Sequence, residues 1–218
     1  MYRSSRRSEQ ARETRMRILN SAHDLFVTQG YGRTTIVDIA AAAGVSKESV
    51  YAIFTNKATL LARVWDITIG GDDDDVVFHE RPLIAAIRRE PDLGRRLDMQ
   101  ARMATAVARR ITPFVLAVRG AAATEPAAVE MLATMDRQRY EGLGHMSRDA
   151  AATGRLAISE SECHDLIWAT SDGTLWQRLV VERGWSDERY ARYLARMWRA
   201  ALLDDPADGV PDAQPPGR

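Results

Sequence analysis

The chain has 218 residues, 45% of them hydrophobic and 28% charged, a length that fits one or two domains with room for a sizeable core. Lys plus Arg and Asp plus Glu both total 30, so no global field drives the molecule onto nucleic acid or an anionic membrane, and any such binding must be local. The single cysteine, Cys163, excludes an intrachain disulfide framework and a Cys-rich zinc module. No apolar run approaches the roughly 18 residues that span a bilayer, and the Arg-rich start has no apolar stretch behind it, so the reading is a cytoplasmic protein without a leader or membrane contact.

In chain order, Glu9 to Gln29 sets Ile18, Leu19, Ala22, Leu25 and Phe26 on one helical stripe, and Gly30 stands where a C-terminal cap belongs. Thr35 can cap a second helix, Ile36 to about Ala43, through the amide of Asp38. Gly44-Val45-Ser46 interrupts that helix: Gly allows a positive φ, Val can plug the corner, and Ser46 can cap a short third helix from Lys47 to about Phe54. Asn56 caps a fourth, with Leu60, Leu61, Val64 and Trp65 as its apolar face, before Gly70-Gly71 and the solvated run Asp72 to Asp75. Pro82, Pro113 and Pro126 each suit the first turn of a helix. Ser159 to Glu162 fits a capping box opening a helix from 160 to 183, which Gly184 ends. Ser186 opens the last helix, which carries Tyr190, Leu194, Met197, Trp198 and Ala201 on one side and stops at Asp204-Asp205-Pro206. The Pro-rich residues after it form a disordered tail. There is no strand signal, repeat or Gly-rich phosphate loop. The expectation is an all-α protein: an N-terminal helix-turn-helix domain over 1–63, a larger helical bundle over 64–204 and a tail over 205–218.

Charge is distributed unevenly along this helical chain. Residues 1–63 hold ten basic side chains against five acidic ones, or +5, and the remainder holds twenty against twenty-five, or −5. The N-terminal quarter can therefore face phosphate, although charge fluctuation alone produces such differences and a motif must decide.

The two short helices joined by Ala43-Gly44-Val45-Ser46 supply that motif, since their length and punctuation are those of a helix-turn-helix. Ile36, Ile39, Ala40, Val45, Val50 and Phe54 pack inward, which leaves Lys47, Glu48, Ser49, Tyr51 and Ala52 outward on the third helix. Lys47 can reach guanine acceptors or phosphate, Glu48 can accept from a cytosine amino group, and Ala52 can meet a thymine methyl. Thr35, Tyr51 and Lys57, near helix ends, suit phosphates, and Arg3, Arg6 and Arg7 can form an arm that adds counterion release or enters a minor groove. An αα-corner with Gly also occurs as plain packing, so the residues themselves decide. Gly30-Tyr31-Gly32-Arg33-Thr34-Thr35-Ile36-Val37-Asp38-Ile39-Ala40, then Ala43 to Ser46, then Val50 to Leu61, resemble the N-terminal domain of the TetR family of transcriptional regulators. The resemblance spans about Ile18 to Leu61. It implies a homodimer that binds a palindromic double-stranded DNA operator through Thr35, Ser46, Lys47, Ser49, Tyr51 and Lys57; Arg33 and Glu48 complete the expected DNA-binding set, and no cofactor is expected. The family often has an acidic residue where this chain has Ala58, so the fourth helix lacks that capping support.

The C-terminal half, Ile158 to Leu203, resembles the last two helices of a TetR-like domain, which implies a four-helix bundle across a dimer axis. Independently of the family, the helix from 160 to 183 is apolar over too wide a surface for one intramolecular contact. Leu166, Ala169, Gly173, Val180, Leu194, Met197, Trp198 and Ala201 are the expected dimer face. Met99, Met103, Phe114, Met135, Tyr140 and His145, with Trp65, Trp168, Asp172 and Trp176, can line an adaptable cavity for a small apolar or amphipathic effector, although a Met and aromatic stripe is more often plain core. His145 with Asp149, and Glu160 with His164, have metal-ligand spacing but are more often solvated pairs, so no metal is expected. Cys163 beside His164 points about 100° away from it on a helix, so no catalyst is expected either. The leading expectation is an effector-released repressor. The alternatives are a DNA-binding dimer of the same fold without an effector, or an all-α enzyme.

Overall fold

A computed structural model describes residues 2–71 and 82–204, with side chains from Glu9 onward. The described residues form helices α1 (Tyr2–Gln29), α2 (Ile36–Ala43), α3 (Lys47–Phe54), α4 (Lys57–Gly70), α5 (Pro82–Arg89), α6 (Leu93–Ala121), α7 (Pro126–Ala151), α8 (Glu160–Thr170), α9 (Thr174–Trp176, continued by a π-helical stretch Gln177–Glu182) and α10 (Asp187–Leu202). The only β pairing among them is a single antiparallel bridge, Leu156 to Leu203, which pins the chain after α10 onto the α7–α8 loop. The run Asp72 to Asp75 and the tail after Asp204 lie outside the described residues.

Two cores share α6. Its C-terminal half, through Phe114 and Val118, joins Ile18, Phe26, Ile39, Val50, Leu61 and Trp65 of α1–α4 and Met131 and Met135 of α7. The other half, through Leu97 and Ala101, packs on Cys163 and Ile167 of α8, Trp176, and Tyr190, Leu194 and Trp198 of α10. Each fully buried aliphatic or aromatic side chain contributes about 1.5–3 kcal/mol. The first core crosses position 64, the boundary expected from sequence, so α4 is anchored in both halves of the molecule. Two arginines reinforce the joints. Arg96 of α6 is buried and donates to the carbonyls of Arg88, Glu90 and Asp149, tying α5 to α7. Arg110 donates to the carbonyls of Thr68 (2.6 Å) and Ile69 (2.5 Å), placing a cation at the negative end of α4.

Several elements differ from the sequence reading. The helix begins at Tyr2, so residues 3–8 continue α1 in place of a separate arm; they hold three Arg and three Ser, with no Gly or Pro to break it. The side chains of Arg3, Arg6 and Arg7 lie outside the described residues. Pro113 sits inside α6 and starts no helix; Pro82 and Pro126 do open α5 and α7. The Ser159–Glu162 capping box forms, but the helix it opens ends at Thr170. Gly173 then turns the chain with φ +82°, and a Cβ there would lie 2.4 Å from the Thr112 hydroxyl of α6, so close approach to α6 sets the break.

Candidate functional site

The α2–α3 corner is built by its own caps. Thr35 Oγ1 accepts from the Asp38 amide (3.2 Å) and donates to Asp38 Oδ2 (2.7 Å), while Asp38 Oδ2 accepts from the Thr35 amide (2.9 Å). These bonds hold the Asp38 carboxyl below its ordinary range. Gly44 takes φ +65°, the left-handed value that ends α2, and Ser46 Oγ caps α3 by accepting from the Ser49 amide (3.2 Å). Ile36, Ile39, Ala40, Val50 and Phe54 are buried and Val45 is half-buried. The opposite face of α3 therefore projects outward: Lys47, Glu48, Tyr51, Ala52 and Ile53 are exposed and Ser49 is half-buried. Tyr51 at 50% and Ile53 at 42% are large side chains left without intramolecular cover. Lys47 and Glu48 make only a loose exposed pair at 3.9 Å, which leaves both free for other partners.

Arg33 is exposed and donates to the Gln29 carbonyl. Lys57, at the start of α4, sits with its ammonium 4.1 Å from the centre of the Tyr31 ring. Burial lowers its pKa, and the Glu125 carboxylate at the α6–α7 corner opposes that shift. The same burial, with Glu125, raises the Tyr31 phenol. Glu125 also approaches Gly32, whose added Cβ would lie 3.7 Å from its Oε1. A carboxylate of the C-terminal half thus neighbours a cation at the edge of the helix-turn-helix.

A cavity of about 1140 Å³ lies on the far side of α4. Trp65 and Ile69 of α4, Met103, Val107 and Ile111 of α6, and Leu132, Met135 and Met146 of α7 give it apolar walls; Trp168 of α8, Ser171 and Asp172 just beyond it, and Trp198 of α10 also line it. The size suits a bulky small molecule. Trp65 Nε1 donates to Gln138 Oε1 (2.7 Å), so the wall contains a hydrogen bond from α4 to α7. Arg63–Asp66, Arg88–Asp149 and Arg139–Asp136 are ion pairs in the same lining.

Residues 18–64 match the family model described as bacterial regulatory proteins, tetR family. This stretch is therefore similar to the DNA-binding domain of the TetR family. Among curated proteins, similar relatives include the transcriptional regulator TtgR of Pseudomonas putida, 43% identical over 61 residues, and AcrR of Shigella flexneri, 38% identical over 60. Those matches cover 28% of this chain and 29% and 28% of the two relatives, so the chain spans less than a third of the length of the curated relatives it matches. Solved structures are similar over nearly the whole chain. A SmeT–triclosan complex covers 93% of it (99% of that chain, TM-score 0.64, 22% identity), and NalD, the secondary repressor of the MexAB-OprM multidrug efflux pump in Pseudomonas aeruginosa, covers 89% (98% of that chain, TM-score 0.63, 22% identity). A putative regulator from Saccharomonospora viridis in complex with choline covers 88% (99% of that chain, TM-score 0.65, 19% identity). Identities this low show a shared fold, an N-terminal helix-turn-helix domain followed by a larger helical domain.

Within the helix-turn-helix domain, the hydroxyls of Thr35 and Ser46 are occupied by capping, while Lys47, Glu48 and Tyr51 project outward. Of the residues expected around a ligand, Trp65, Met103, Met135, His145, Trp168 and Asp172 line the cavity. Four others do not. Met99 lies one turn before Met103, where the cavity begins. Phe114 faces α1, its ring 5.9 Å from His23 and 6.4 Å from Phe26. Tyr140 is exposed and stacks on His164 at 4.1 Å. Trp176 is buried in the second core and donates to Asp187 Oδ1 (2.9 Å). Gln138, Arg139 and Ser171 were missed, although a 3.6-residue stripe from Met135 passes through Arg139, Gly142 and Met146.

The expected dimer face divides. Leu194, Trp198 and Gly173 are buried within the subunit, because α10 lays its apolar side on α6 and Gly173 abuts Thr112; Trp198 instead lines the cavity and donates to Thr170 Oγ1 (2.9 Å). Leu166, Ala169 and Ala201 are exposed, Val180 and Met197 half-buried, and Val181 is 55% exposed. His164 faces the Tyr140 carbonyl (2.8 Å) and His145 faces Arg148 (3.0 Å). Among the described residues no three His, Cys, Asp or Glu side chains converge as metal ligands. Cys163 is fully buried and its thiol is pushed up to about 11 by burial and the Glu160 carboxylate, the opposite of an activated nucleophile. Among the described residues no helix is long and apolar enough to cross a membrane.

Proposed function

We propose that this protein is a homodimeric transcriptional repressor that binds a palindromic operator through α3 and is released by a small molecule in the cavity. The observation that carries the reading is the two-sided character of α3: one face packed on α2 and α4, the other an uncovered strip of Lys47, Glu48, Ser49, Tyr51 and Ala52. In this reading Lys47 and Glu48 contact base edges, Tyr51 and Lys57 contact phosphate, and the backbone amides at the starts of α2 and α3 add phosphate contacts. Thr35 and Ser46 act by holding those amides in place, and Arg33 adds charge at the edge. Two subunits pair through Leu166, Ala169, Val180, Val181, Met197 and Ala201, setting their α3 helices about 34–36 Å apart, one turn of B-DNA.

Coupling runs through α4. A ligand that displaces Trp65 breaks its bond to Gln138 and shifts a helix whose other end carries Lys57 and follows directly from α3. The ligand must bind the shifted state better than the DNA-bound one, and by linkage DNA weakens the ligand by the same factor. Selection of duplexes from a random pool, repeated with cellular metabolites present, tests the reading. A palindrome recovered without metabolites and lost with one of them supports it, and recovery of no preferred sequence refutes it.

A further inference from the structure

Three residues that line the cavity each carry a polar atom with no hydrogen-bond partner and shut off from solvent: Arg139 Nη1, Trp168 Nε1 and Ser171 Oγ. Two can only donate and the third can donate. They belong to one cluster, because the Arg139 guanidinium lies over the Trp168 ring at 5.0 Å and Ser171 is one helical turn beyond Trp168. An unpaired buried donor carries an uncompensated desolvation penalty of about 1–3 kcal/mol. The acceptors of the same wall are in the opposite condition. Asp66, Asp136 and Asp149 are each paired with an arginine, and Asp172 accepts from the amide (2.8 Å) and hydroxyl (2.6 Å) of Thr174. Glu141 is an exposed carboxylate in the lining. The face of Trp168, which could otherwise stack on a cationic ligand, is already covered by Arg139.

We propose, building on the effector reading above, that the cavity takes a bulky apolar acid: an aromatic or aliphatic body against Trp65, Met103, Val107 and Met135, with its anionic head on Arg139, Trp168 Nε1 and Ser171 Oγ. Arg139 is held on its other nitrogen by Asp136 (2.6 Å), and the Asp136 side chain is 56% exposed, so that pair opens toward water when a better-placed anion arrives. The guanidinium stays stacked on Trp168 and is thereby preorganised for a two-point contact with the incoming acid.

The test uses two probes that share a ring system and differ in charge, anilinonaphthalene sulfonate and neutral N-phenylnaphthylamine, titrated into the full chain. Quenching of tryptophan emission reports entry, since Trp65, Trp168 and Trp198 line the site. The sulfonate is expected to bind about tenfold tighter than the neutral probe. Arg139→Met should abolish that preference while leaving the neutral probe's affinity unchanged, which also certifies that the variant folds; Ser171→Ala should reduce the preference severalfold. Equal binding of the two probes to the natural chain, or equal weakening of both in Arg139→Met, overturns the acid proposal and leaves the cavity reading standing. Failure of both probes to enter overturns the effector reading together with it.

Discussion

Replacing Gly173 with alanine probes the joint between the α8–α9 turn and α6. Gly173 has φ +82°, a conformation that costs an L-residue about 1–2 kcal/mol, and its new Cβ would meet Thr112 Oγ1 at 2.4 Å, which forces a shift of the overpacking kind, about 1–3 kcal/mol. The sum is about 2–5 kcal/mol, and for a chain of this length each kcal/mol moves Tm by about 2–4 °C, so a drop of roughly 4–20 °C is expected. The two contributions separate in a double-mutant cycle. Thr112 Oγ1 is itself buried without a partner, so Thr112→Ala removes an unsatisfied hydroxyl along with a methyl and should alter stability by about 1 kcal/mol or less. In that background Gly173→Ala should lose only its backbone share, about 1–2 kcal/mol. Thermal unfolding by circular dichroism at one fixed protein concentration measures all four proteins, since self-association would make Tm depend on concentration. Additive effects would refute the steric argument, because Gly173→Ala would then destabilise equally whether or not the hydroxyl is present.

Further substitutions test other parts of the account. Lys57→Ala should weaken binding to every duplex and reduce the slope of log affinity against log salt by about one, whereas Lys47→Ala should also change which selected sequence is preferred; both are read by anisotropy titration across a salt series. Glu125→Gln removes the carboxylate that shares Lys57 with Tyr31 and should tighten binding to all duplexes by about two- to fivefold at low salt; unchanged affinity would mean that Lys57 does not touch DNA. Thr55, between α3 and α4, has φ +58° in a β-branched residue, so Thr55→Gly should stabilise the domain by about 1 kcal/mol and raise Tm. Cys163 and Tyr190 are pushed up to about 11 and about 12 from ordinary values of 9.0 and 10.0. The unfolded chain therefore releases their protons first, binds fewer protons than the folded one above pH 9, and stability falls as pH rises through 9–12. Denaturant titrations over that range should show the fall, and Cys163→Ala should flatten its lower part.

The fold was legible where short-range chemistry decides it. Thr35 with Asp38, Ser46 with Ser49, Asn56 with Thr59, and Ser159 with Glu162 form the caps that their spacing indicates, and Gly44 turns where positive φ is needed. The outward face of α3 followed from the same periodicity. Legibility failed where a tertiary contact overrides local preference. Nothing between Ser159 and Gly184 marks a break at Gly173 except that glycine, and the break exists because α6 passes within reach of it. Leu194 and Trp198 belong to an apolar stripe that sequence could equally give to a partner subunit, and only the course of α6 turns them inward. Nothing in the sequence singles out Arg110 and Arg96, because carbonyl clamps between helices leave no trace in residue spacing. Phe114 and Trp176 carry the residue types of a ligand wall, but one faces α1 and the other bonds Asp187.

The central claim is that two copies of α3 enter successive major grooves of one duplex. A hydroxyl-radical footprint of the natural chain on a sequence recovered by selection tests it directly, with Tyr51→Ala as the control. The account predicts two protected patches on one face of the duplex, one helical turn apart and symmetric about the palindrome centre, both fading in the variant. A single asymmetric patch, or protection indifferent to Tyr51, would contradict it.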